Sequence, residues 1–345
     1  MPVSSPASHP KSGAPPATSG SRADGEAYTP PNPVVTLSRA DYTRGALWGL
    51  AAISIWVGWI LYTRVGVTSA TSKMSPYDLV ALRFACAGLV MLPIVWRRGL
   101  AIERVGLVTW LLVVCCAGVP YVLLASCGLQ FAPAAQAGAL IPGTMPLWAA
   151  LLALIFLKEH ISGLRRIGLA LIPLGIVSIL GDGLFHFETG YWRGHLMFIA
   201  AAMTWATFTV AVRRSGLEAM HAAAIVSVVS MVAYLPVYLL WLPHQLSETP
   251  WPAIAGQTLY QGIVVSIISL VAYARAVNIL GASLAASFAS LVPVLAMLAA
   301  IPLLGEKPGK SDVLGILVIT IGVFLASGAY AGLGFDRKRQ RSATK

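Results

Sequence analysis

One long apolar segment constrains the fold more than any other feature, because it can cross a bilayer yet is interrupted near its middle. It extends from Phe131 to Glu159, FAPAAQAGALIPGTMPLWAALLALIFLKE, and carries no charge before Lys158. Pro142 and Pro146 remove backbone donors and, with the glycine between them, loosen the helix near the membrane midplane. Small residues at four-residue spacing, centred on Gly138, predict a face for close helix contact.

The same pattern recurs 147 residues later, in the segment LGASLAASFASLVPVLAMLAAIPLLGE from Leu280 to Glu306. Pro293 takes the place of Pro146, and Glu306 takes that of Glu159. Two equivalent interrupted segments in the two halves of a membrane protein are typical of a transport pathway. The residues that we expect to mark helix breaks or gates are Pro142, Pro146, Pro293, Glu159 and Glu306.

The composition places most of the chain inside a bilayer. Of its 345 residues, 57% are hydrophobic and only 11% are charged, whereas soluble domains carry about 25% charged residues. Backbone polar groups in hydrocarbon must be paired within the segment that carries them, so apolar runs of this length predict helices. The sequence therefore predicts an all-α polytopic membrane protein. The short alternating strands that are typical of membrane barrels are absent from the sequence.

Ten membrane spans are predicted between two polar tails. Residues 1–42, rich in Pro, Ser, Ala and Gly, predict a disordered tail without the apolar core of a secretion signal. Residues 333–345 predict a basic tail that lies on anionic lipid. The spans are expected at about 45–64, 77–96, 106–128, 133–157, 164–181, 194–212, 220–242, 256–277, 281–304 and 311–332.

The two halves of the chain, 43–182 and 191–332, repeat one another. Trp56 matches Trp205, and further landmarks recur at almost the same offset from end to end. Five spans in each copy is an odd number, so the second copy must be inserted upside down relative to the first. The sequence thus predicts two inverted five-helix repeats.

The distribution of charge predicts the orientation in the membrane. If both termini are cytoplasmic, most Lys and Arg residues of the loops and tails fall on the cytoplasmic side. The net charge of +11 therefore reflects membrane topology, and no nucleic-acid partner is expected. We expect a multi-pass protein of the plasma (inner) membrane with cytoplasmic N- and C-termini.

Catalytic and metal-binding patterns are missing from the sequence. None of the four cysteines forms a CxxC pair, and the six histidines lack partners four residues away, so neither a metal site nor a cofactor is predicted. Paired carboxylates and a HExxH motif at membrane depth are also absent, which argues against an enzyme.

These landmarks together resemble a ten-helix EamA-type member of the drug/metabolite transporter superfamily. The resemblance covers about 44–330, and it implies secondary transport, commonly the export of amino acids or other small metabolites through a central cavity. One departure is Ala132-Pro133-Ala134, which replaces the usual polar opening of the fourth helix. The matching residues are Trp56-Val57-Gly58, Ala81-Leu82-Arg83-Phe84, Pro142 to Pro146, Leu157-Lys158-Glu159, the Gly168/Gly175 pair, Thr204-Trp205-Ala206, Gly281-Ala282-Ser283, Pro293, Gly305-Glu306 and the Gly315/Gly322 pair.

Arg83 is the most informative candidate for substrate binding. It lies within the apolar second span, where a cation costs roughly 2.5–3.5 kcal/mol, and could attract a carboxylate or phosphate. A structural arginine that reaches helix-end carbonyls is the competing interpretation. Arg275 has the same two interpretations. The other candidates, for which helix packing is the alternative, are Trp56, Tyr121, Gln136, Trp205, Gln261, Tyr273, Ser283 and Ser287.

The sequence leaves several functions open. Export of amino acids or related metabolites and drugs by alternating access is favoured, with a small-molecule substrate and the lipid bilayer as partners. A carrier of phosphorylated or nucleotide-linked sugars would need a basic cavity. A membrane enzyme and a scaffold without transport are disfavoured. Assembly into a homodimer is compatible with the sequence. No Asp or Glu lies deep within any predicted span, so the sequence does not indicate which ion, if any, drives transport.

Overall fold

A computed structural model describes residues 38–69, 74–157, 163–185 and 190–328. Helices account for 89% of these residues, and no strand occurs among them. Within the same ranges, ten helices are long and apolar enough to cross a membrane, which confirms the predicted fold class. They are α1 (Arg39–Thr68), α2 (Pro76–Arg98), α3 (Leu107–Phe131), α4 (Ala134–Leu157), α5 (Gly163–Phe185), α6 (Tyr191–Ser215), α7 (Ala219–Trp241), α8 (Trp251–Leu280), α9 (Leu284–Leu304) and α10 (Lys310–Ser327).

The first helix begins slightly earlier than the predicted repeat boundary at 43. α1 starts at Arg39 because the Ser38 hydroxyl accepts a hydrogen bond from the Asp41 amide at 3.0 Å. A serine in this position satisfies one of the free amides of a helix start. The predictions that lie outside the described residues are most of the tail at 1–42, the tail at 333–345 and the role of Glu159.

The two equivalent interrupted segments differ in the structure. α9 starts within a short helix, Ala282–Ala289, and continues as a second helix, Val292–Leu304, with Pro293 in the first turn of the second one. α4, in contrast, is continuous through Pro142 and Pro146, so the prediction of a helix break there was wrong. Each proline removes only one backbone donor, and neighbouring helices hold the turns on both sides. The Thr144 hydroxyl also donates to the Leu140 carbonyl at 2.6 Å within this stretch.

Two further spans depart from regular α-helix. α3 consists of Leu107–Ala117 and Val119–Phe131, which meet at Gly118. α8 contains a π-helical segment, Tyr260–Ile268, between two α-helical parts. Wide helical turns of this kind are frequent at functional sites, because they displace side chains from the regular helix face. Both irregular spans contribute to the candidate site described below.

Helix packing follows the internal repeat. The pairs α2 and α7, α4 and α9, and α5 and α10 each join equivalent helices of the two halves. The contact between α1 and α8 is matched by that between α6 and α3, and the contact between α1 and α9 by that between α6 and α4. Because each half contributes five spans, equivalent helices run in opposite directions. The structure therefore consists of two inverted five-helix repeats that pack around a shared axis of pseudosymmetry.

The closest helix pair is formed by glycines. A Cβ atom added to Gly175 of α5 would lie 2.7 Å from the Gly315 carbonyl oxygen, and one added to Gly315 of α10 would lie 2.7 Å from the Gly175 carbonyl oxygen. Gly168 and Gly322 meet in the same reciprocal way, at 2.6 and 2.9 Å. The two backbones approach this closely only because no side chain separates them.

Candidate substrate site

Arg83 lies on α2 where side chains from four other helices converge. It remains partly exposed, and its guanidinium lies 5.8 Å from the centre of the Trp59 ring on α1. Its Nη1 donates one long hydrogen bond, 3.4 Å, to Oε1 of Gln261 on α8. Among the described residues, no carboxylate forms an ion pair with this cation. Arg83 therefore has donors available for an anionic ligand.

A series of aromatic rings extends from the arginine towards α6. Trp59 stacks on Tyr121 of α3 with ring centres 5.9 Å apart, and Tyr121 contacts Trp205 of α6 at 4.8 Å. Phe208 follows one turn later, 5.3 Å from Trp205. Contacts of this geometry stabilise the packing of aromatic rings. The cation is thus bordered by an extended apolar wall.

The amide of Gln261 is held by a chain of hydrogen bonds on the other side of Arg83. Its Nε2 donates to the Thr63 hydroxyl at 3.0 Å and to Gln257 Oε1 at 3.3 Å. Gln257 in turn donates to the Tyr62 carbonyl at 2.7 Å. These bonds orient the Gln261 oxygen towards Arg83. Gln261 lies at the start of the π-helical segment, where the Ser266 hydroxyl donates to its carbonyl at 2.8 Å.

Trp56 forms a second aromatic contact, equivalent to that of Trp205. Its ring lies 5.2 Å from Tyr273 on α8, and its indole nitrogen donates to the Ser269 hydroxyl at 3.2 Å. The two repeat-equivalent tryptophans thus each pack against a tyrosine of the other repeat, on α8 and α3 respectively. Trp56, Trp205 and Tyr273 all keep part of their surface exposed.

An open groove of about 500 Å³ lies beside this site, between α1, α8 and α9. Its lining is mainly apolar, with Gly58, Tyr62 and Tyr260 among the contributing residues. Tyr260 donates to the Ile55 carbonyl at 3.2 Å and lies against Gly58, where any larger residue would collide with it. The groove opens sideways from the bundle, and Arg83 does not line it.

Comparison with known proteins decides the family. A model of the EamA-like transporter family matches residues 43–181 and 192–328, one match for each five-helix repeat. The chain belongs to the EamA-like transporter family. It is therefore a multi-pass membrane transporter, as the sequence landmarks indicated.

Relatives of this EamA-like transporter include proteins named only as transporters. The uncharacterized transporter YoaV of Bacillus subtilis is 22% identical, over 79% of this chain and 96% of its own length. A protein of Streptantibioticus cattleyicolor named a probable terminal-alkyne amino-acid exporter is 28% identical, over 64% of this chain and 72% of its own length. A crystal structure aligns with a TM-score of 0.54 at 25% identity, covering 86% of this chain and 100% of that one.

The structure of the transporter brings several predicted site residues together and leaves others apart. Arg275 is exposed near the end of α8, and Ser287 donates to the Leu284 carbonyl of its own helix at 2.6 Å. The side chain of Ser283 lies outside the described part of the chain. The predicted site residues that meet around the aromatic wall are Arg83, Tyr121, Trp205 and Gln261, whereas Trp56 and Tyr273 form the separate contact described above.

Glu306 stabilises the start of the continuous helix α4 from the end of α9. Its two carboxylate oxygens accept the amides of Ala134 at 2.7 Å and Ala135 at 3.0 Å. Arg64 lies 3.9 Å from the same carboxylate and donates to the Leu129 carbonyl. A negative group suits the free amides and the dipole at a helix N-terminus. The Ala-Pro-Ala opening of α4 has no polar side chain of its own, so Glu306 replaces the missing cap.

Sequence reasoning missed the residues whose importance comes from their neighbours. Thr63 is buried on α1 next to Gln261, yet it occurs in an ordinary apolar span. His195 is 1% exposed near the start of α6, where its ring bonds to Gln136. The available signal was its position: a polar residue in an apolar span must find a partner inside the bundle.

Proposed function

We propose that this protein transports small solutes that carry a carboxylate, in the first place amino acids, by alternating access of its two inverted repeats. The observation that supports this best is Arg83, a cation inside the bundle that has no carboxylate partner among the described residues. A cation within apolar surroundings is expensive and marks a functional site unless it is paired.

A carboxylate ligand fits the unused donors of Arg83. The guanidinium has five N–H donors in a planar fork, and it uses one of them, in a long bond to Gln261. A carboxylate can accept two of the remaining donors in parallel, which is the strongest arrangement available to arginine. The Trp59 ring holds the guanidinium from one side.

The aromatic wall indicates which amino acids are preferred. Trp59, Tyr121 and Trp205 form a continuous apolar surface beside the cation. A zwitterionic amino acid bound through its carboxylate would place an apolar or aromatic side chain against these rings. α7, the counterpart of α2, carries no Lys or Arg along its length, so the cation comes from one repeat only. A substrate would therefore bind in one defined orientation.

Direction and membrane orientation are part of the same proposal. Both termini are cytoplasmic, as the loop charges predict, and the protein lies in the plasma membrane. Export is the proposed direction, in keeping with the printed name of the Streptantibioticus relative. The two repeats would rock around the contact between α4 and α9, where Gly138 packs directly on Ala296.

The test is exchange of radiolabelled solutes in vesicles that contain the purified protein. The panel holds leucine, phenylalanine and threonine, with glucose 6-phosphate and a nucleotide sugar for the alternative substrate class. We expect exchange of at least one amino acid, and a loss of about tenfold or more in Arg83→Ala, because a charge-assisted hydrogen bond is worth about 1.5–3 kcal/mol.

The matched control is Arg97→Ala, which removes an exposed arginine from the same helix and should leave exchange unchanged. Arg83→Lys, which keeps the charge without the planar fork, should fall between Arg83→Ala and the wild type. The proposal would be contradicted if a folded Arg83→Ala protein exchanged amino acids as fast as the wild type, or if only the phosphorylated sugars were exchanged.

A further inference from the structure

A second polar cluster, at the end of the bundle where α4, α6 and α10 begin, contains a buried histidine. His195 of α6 lies 2.7 Å from Gln136 of α4, measured from its Nε2 to the amide Oε1. Gln136 Nε2 donates to Oδ1 of Asp312 on α10 at 2.9 Å. His195 and Gln136 are 1% and 4% exposed. We call these three residues the His195 triad; it joins one helix of the first repeat to two of the second.

The hydrogen bonds of the triad determine where its hydrogens are. Asp312 accepts from Gln136 with one oxygen and from the Gly309 amide with the other, at 3.0 Å, as an ionised carboxylate does. Gln136 must therefore turn its NH₂ group to Asp312 and its oxygen to His195. That oxygen can only accept, so Nε2 of His195 carries the hydrogen. Nδ1 is left as a bare lone pair.

This lone pair has no partner. Nδ1 of His195 is buried and makes no hydrogen bond with any of the residues that the structure describes. Leaving a buried polar atom unpaired costs about 1–3 kcal/mol, so such atoms usually serve a purpose. Gln136 and Asp312 each make hydrogen bonds through both of their polar atoms, so Nδ1 is the unpaired atom of the triad. A proton can bind there, because it needs no space and forms a single N–H bond while no other bond breaks.

Burial of the imidazole opposes the added charge, and the carboxylate of Asp312 favours it. The Gln136 amide lies between Asp312 and His195 and bonds to both. The carboxylate of Asp312 is therefore separated from the resulting imidazolium only by this amide. α4 carries no titratable side chain between Ala134 and Leu157. Among the described side chains, the titratable and charged groups on the elements that pack around His195 at this end are Asp312 and Lys310 on α10, Cys127 on α3, Tyr191 and Arg193 on α6, and Glu306 after α9 with Arg64 of α1.

The opposite end of the bundle has no such cluster at the equivalent positions. Ala46 matches His195, Ser283 matches Gln136 and Arg165 matches Asp312. Arg165 instead donates from Nε to the Ala326 carbonyl at 3.0 Å. The duplicated fold therefore packs well without the triad, and a merely structural role does not explain why it occurs at one end.

We infer that the His195 triad is the proton-binding site that couples the transport cycle to the pH at this end of the bundle. An imidazolium strengthens the bridge from α6 through α4 to α10, because hydrogen bonds to charged groups are about twice as strong as neutral ones. Proton binding thus closes this end, and proton release allows it to open. In the proposed orientation this end faces the exterior, so a proton that enters after substrate release would return the carrier to its inward-open state and would leave to the cytoplasm from that state. Coupling rests on the proposed function, but proton binding does not.

The first experiment needs no substrate. Protein with ¹⁵N-labelled histidine is placed in lipid nanodiscs, and the His195 signals are identified by their loss in His195→Gln, which keeps a donor at the Nε2 position but cannot titrate. We expect Nδ1 to be unprotonated at the alkaline end of a titration from about pH 8 to 4 and to gain a proton as the pH is lowered. His221→Asn, which removes a buried histidine bonded to the Gly99 carbonyl at 3.0 Å, should leave these signals unchanged. An Nδ1 that never changes its protonation between about pH 8 and 4 overturns the inference.

The second experiment separates coupling from transport. Vesicles are loaded with the amino acid of the panel that exchanges fastest, and a pH gradient of one unit is imposed with the triad side acidic. One-for-one proton exchange can sustain about a tenfold solute gradient per pH unit. We expect wild type and His221→Asn to build a gradient of several-fold, and His195→Gln to exchange solute without building one.

The outcomes distinguish the two proposals. If wild type exchanges no amino acid, the proposed function fails while the nanodisc result still decides proton binding. If wild type exchanges solute but ignores the pH gradient, or if His195→Gln responds to it like wild type, coupling through the His195 triad is excluded. A His195→Gln protein that retains exchange shows that loss of the gradient response is not caused by misfolding.

Discussion

The two repeats agree in their packing and disagree in their chemistry. The glycine pairs of α5 and α10 contact each other reciprocally, and the equivalent tryptophans Trp56 and Trp205 each meet a tyrosine of the other repeat. Arg83 and the His195 triad, in contrast, have no counterparts of similar chemistry at the matching positions or on the matching helix. Packing must fill space in both halves, whereas binding one substrate in one orientation requires only one copy of the polar groups. Duplicated features thus indicate structure, and unduplicated polar features indicate function.

The largest effect should come from breaking the shared packing. Gly168→Val and Gly315→Val are repeat-equivalent, and each would place side-chain atoms within 2.5–2.7 Å of backbone atoms of the facing helix. Neither backbone can move without displacing its helix, so we expect each to lower the free energy of unfolding by about 2–3 kcal/mol. Thermal unfolding in detergent measures this. Gly163→Ala, at the open start of α5, should be neutral or slightly stabilising. Clearly unequal effects of the two valines would contradict the symmetry of the packing.

The Glu306 cap should have the next largest effect. Glu306→Gln removes the negative charge that accepts two amides of α4 and faces Arg64. We expect a loss of about 1–2 kcal/mol in unfolding free energy, since caps and helix dipoles contribute this much in partly buried sites. The same thermal unfolding assay reports it. A Glu306→Gln protein as stable as the wild type would mean that the α4 amides find another acceptor.

The equivalent tryptophans should separate binding from packing. Trp205→Ala interrupts the ring series that leads to Arg83, while Trp56→Ala removes the equivalent contact on the side without a cation. An aromatic contact is worth about 0.5–1.5 kcal/mol, so we expect amino-acid exchange to fall about two- to twelvefold in Trp205→Ala and clearly less in Trp56→Ala. Initial exchange rates in vesicles measure the difference. Equal losses would mean that both halves contact the substrate alike.

The smallest effect should come from the exposed ion pair at the opposite end of the bundle from Glu306. Arg98 at the end of α2 and Glu218 before α7 form it in open surroundings. Pairs of this kind contribute about 0–1 kcal/mol and are screened by salt. Arg98→Ala should therefore change the unfolding temperature very little, and any change should vanish in high salt. A loss as large as that of Glu306→Gln would contradict the contrast between the two ends.

Much of the fold was predictable from residues that can be read one span at a time. Ten apolar runs predicted ten helices, because a bilayer leaves the backbone no other way to pair its polar groups. The glycine pairs 168/175 and 315/322 each lie seven residues apart on one helix face, which suits tight packing, and the structure shows that the two faces pack on each other between α5 and α10. The break expected at Pro142 and Pro146 did not occur, since proline alone does not determine whether neighbours hold the adjoining turns.

The candidate site was only partly predictable for a related reason. Arg83 was recognisable because a charge inside an apolar span is rare wherever its partners lie. Thr63 and His195 were not, because their side chains gain their meaning from Gln261, Gln136 and Asp312, which are distant in sequence.

The sequence by itself determined the ten spans, their inverted duplication and the presence of arginines among apolar residues. These follow from hydrophobicity, helix length and an odd number of spans, all of which are local or additive along the chain. Only the tertiary structure decided that, among the residues it describes, Arg83 has no carboxylate partner and His195 has one unpaired nitrogen, and that Glu306 caps a helix of the other repeat. Each of these depends on which atoms from different helices come within hydrogen-bonding distance, and that is fixed by helix packing in three dimensions.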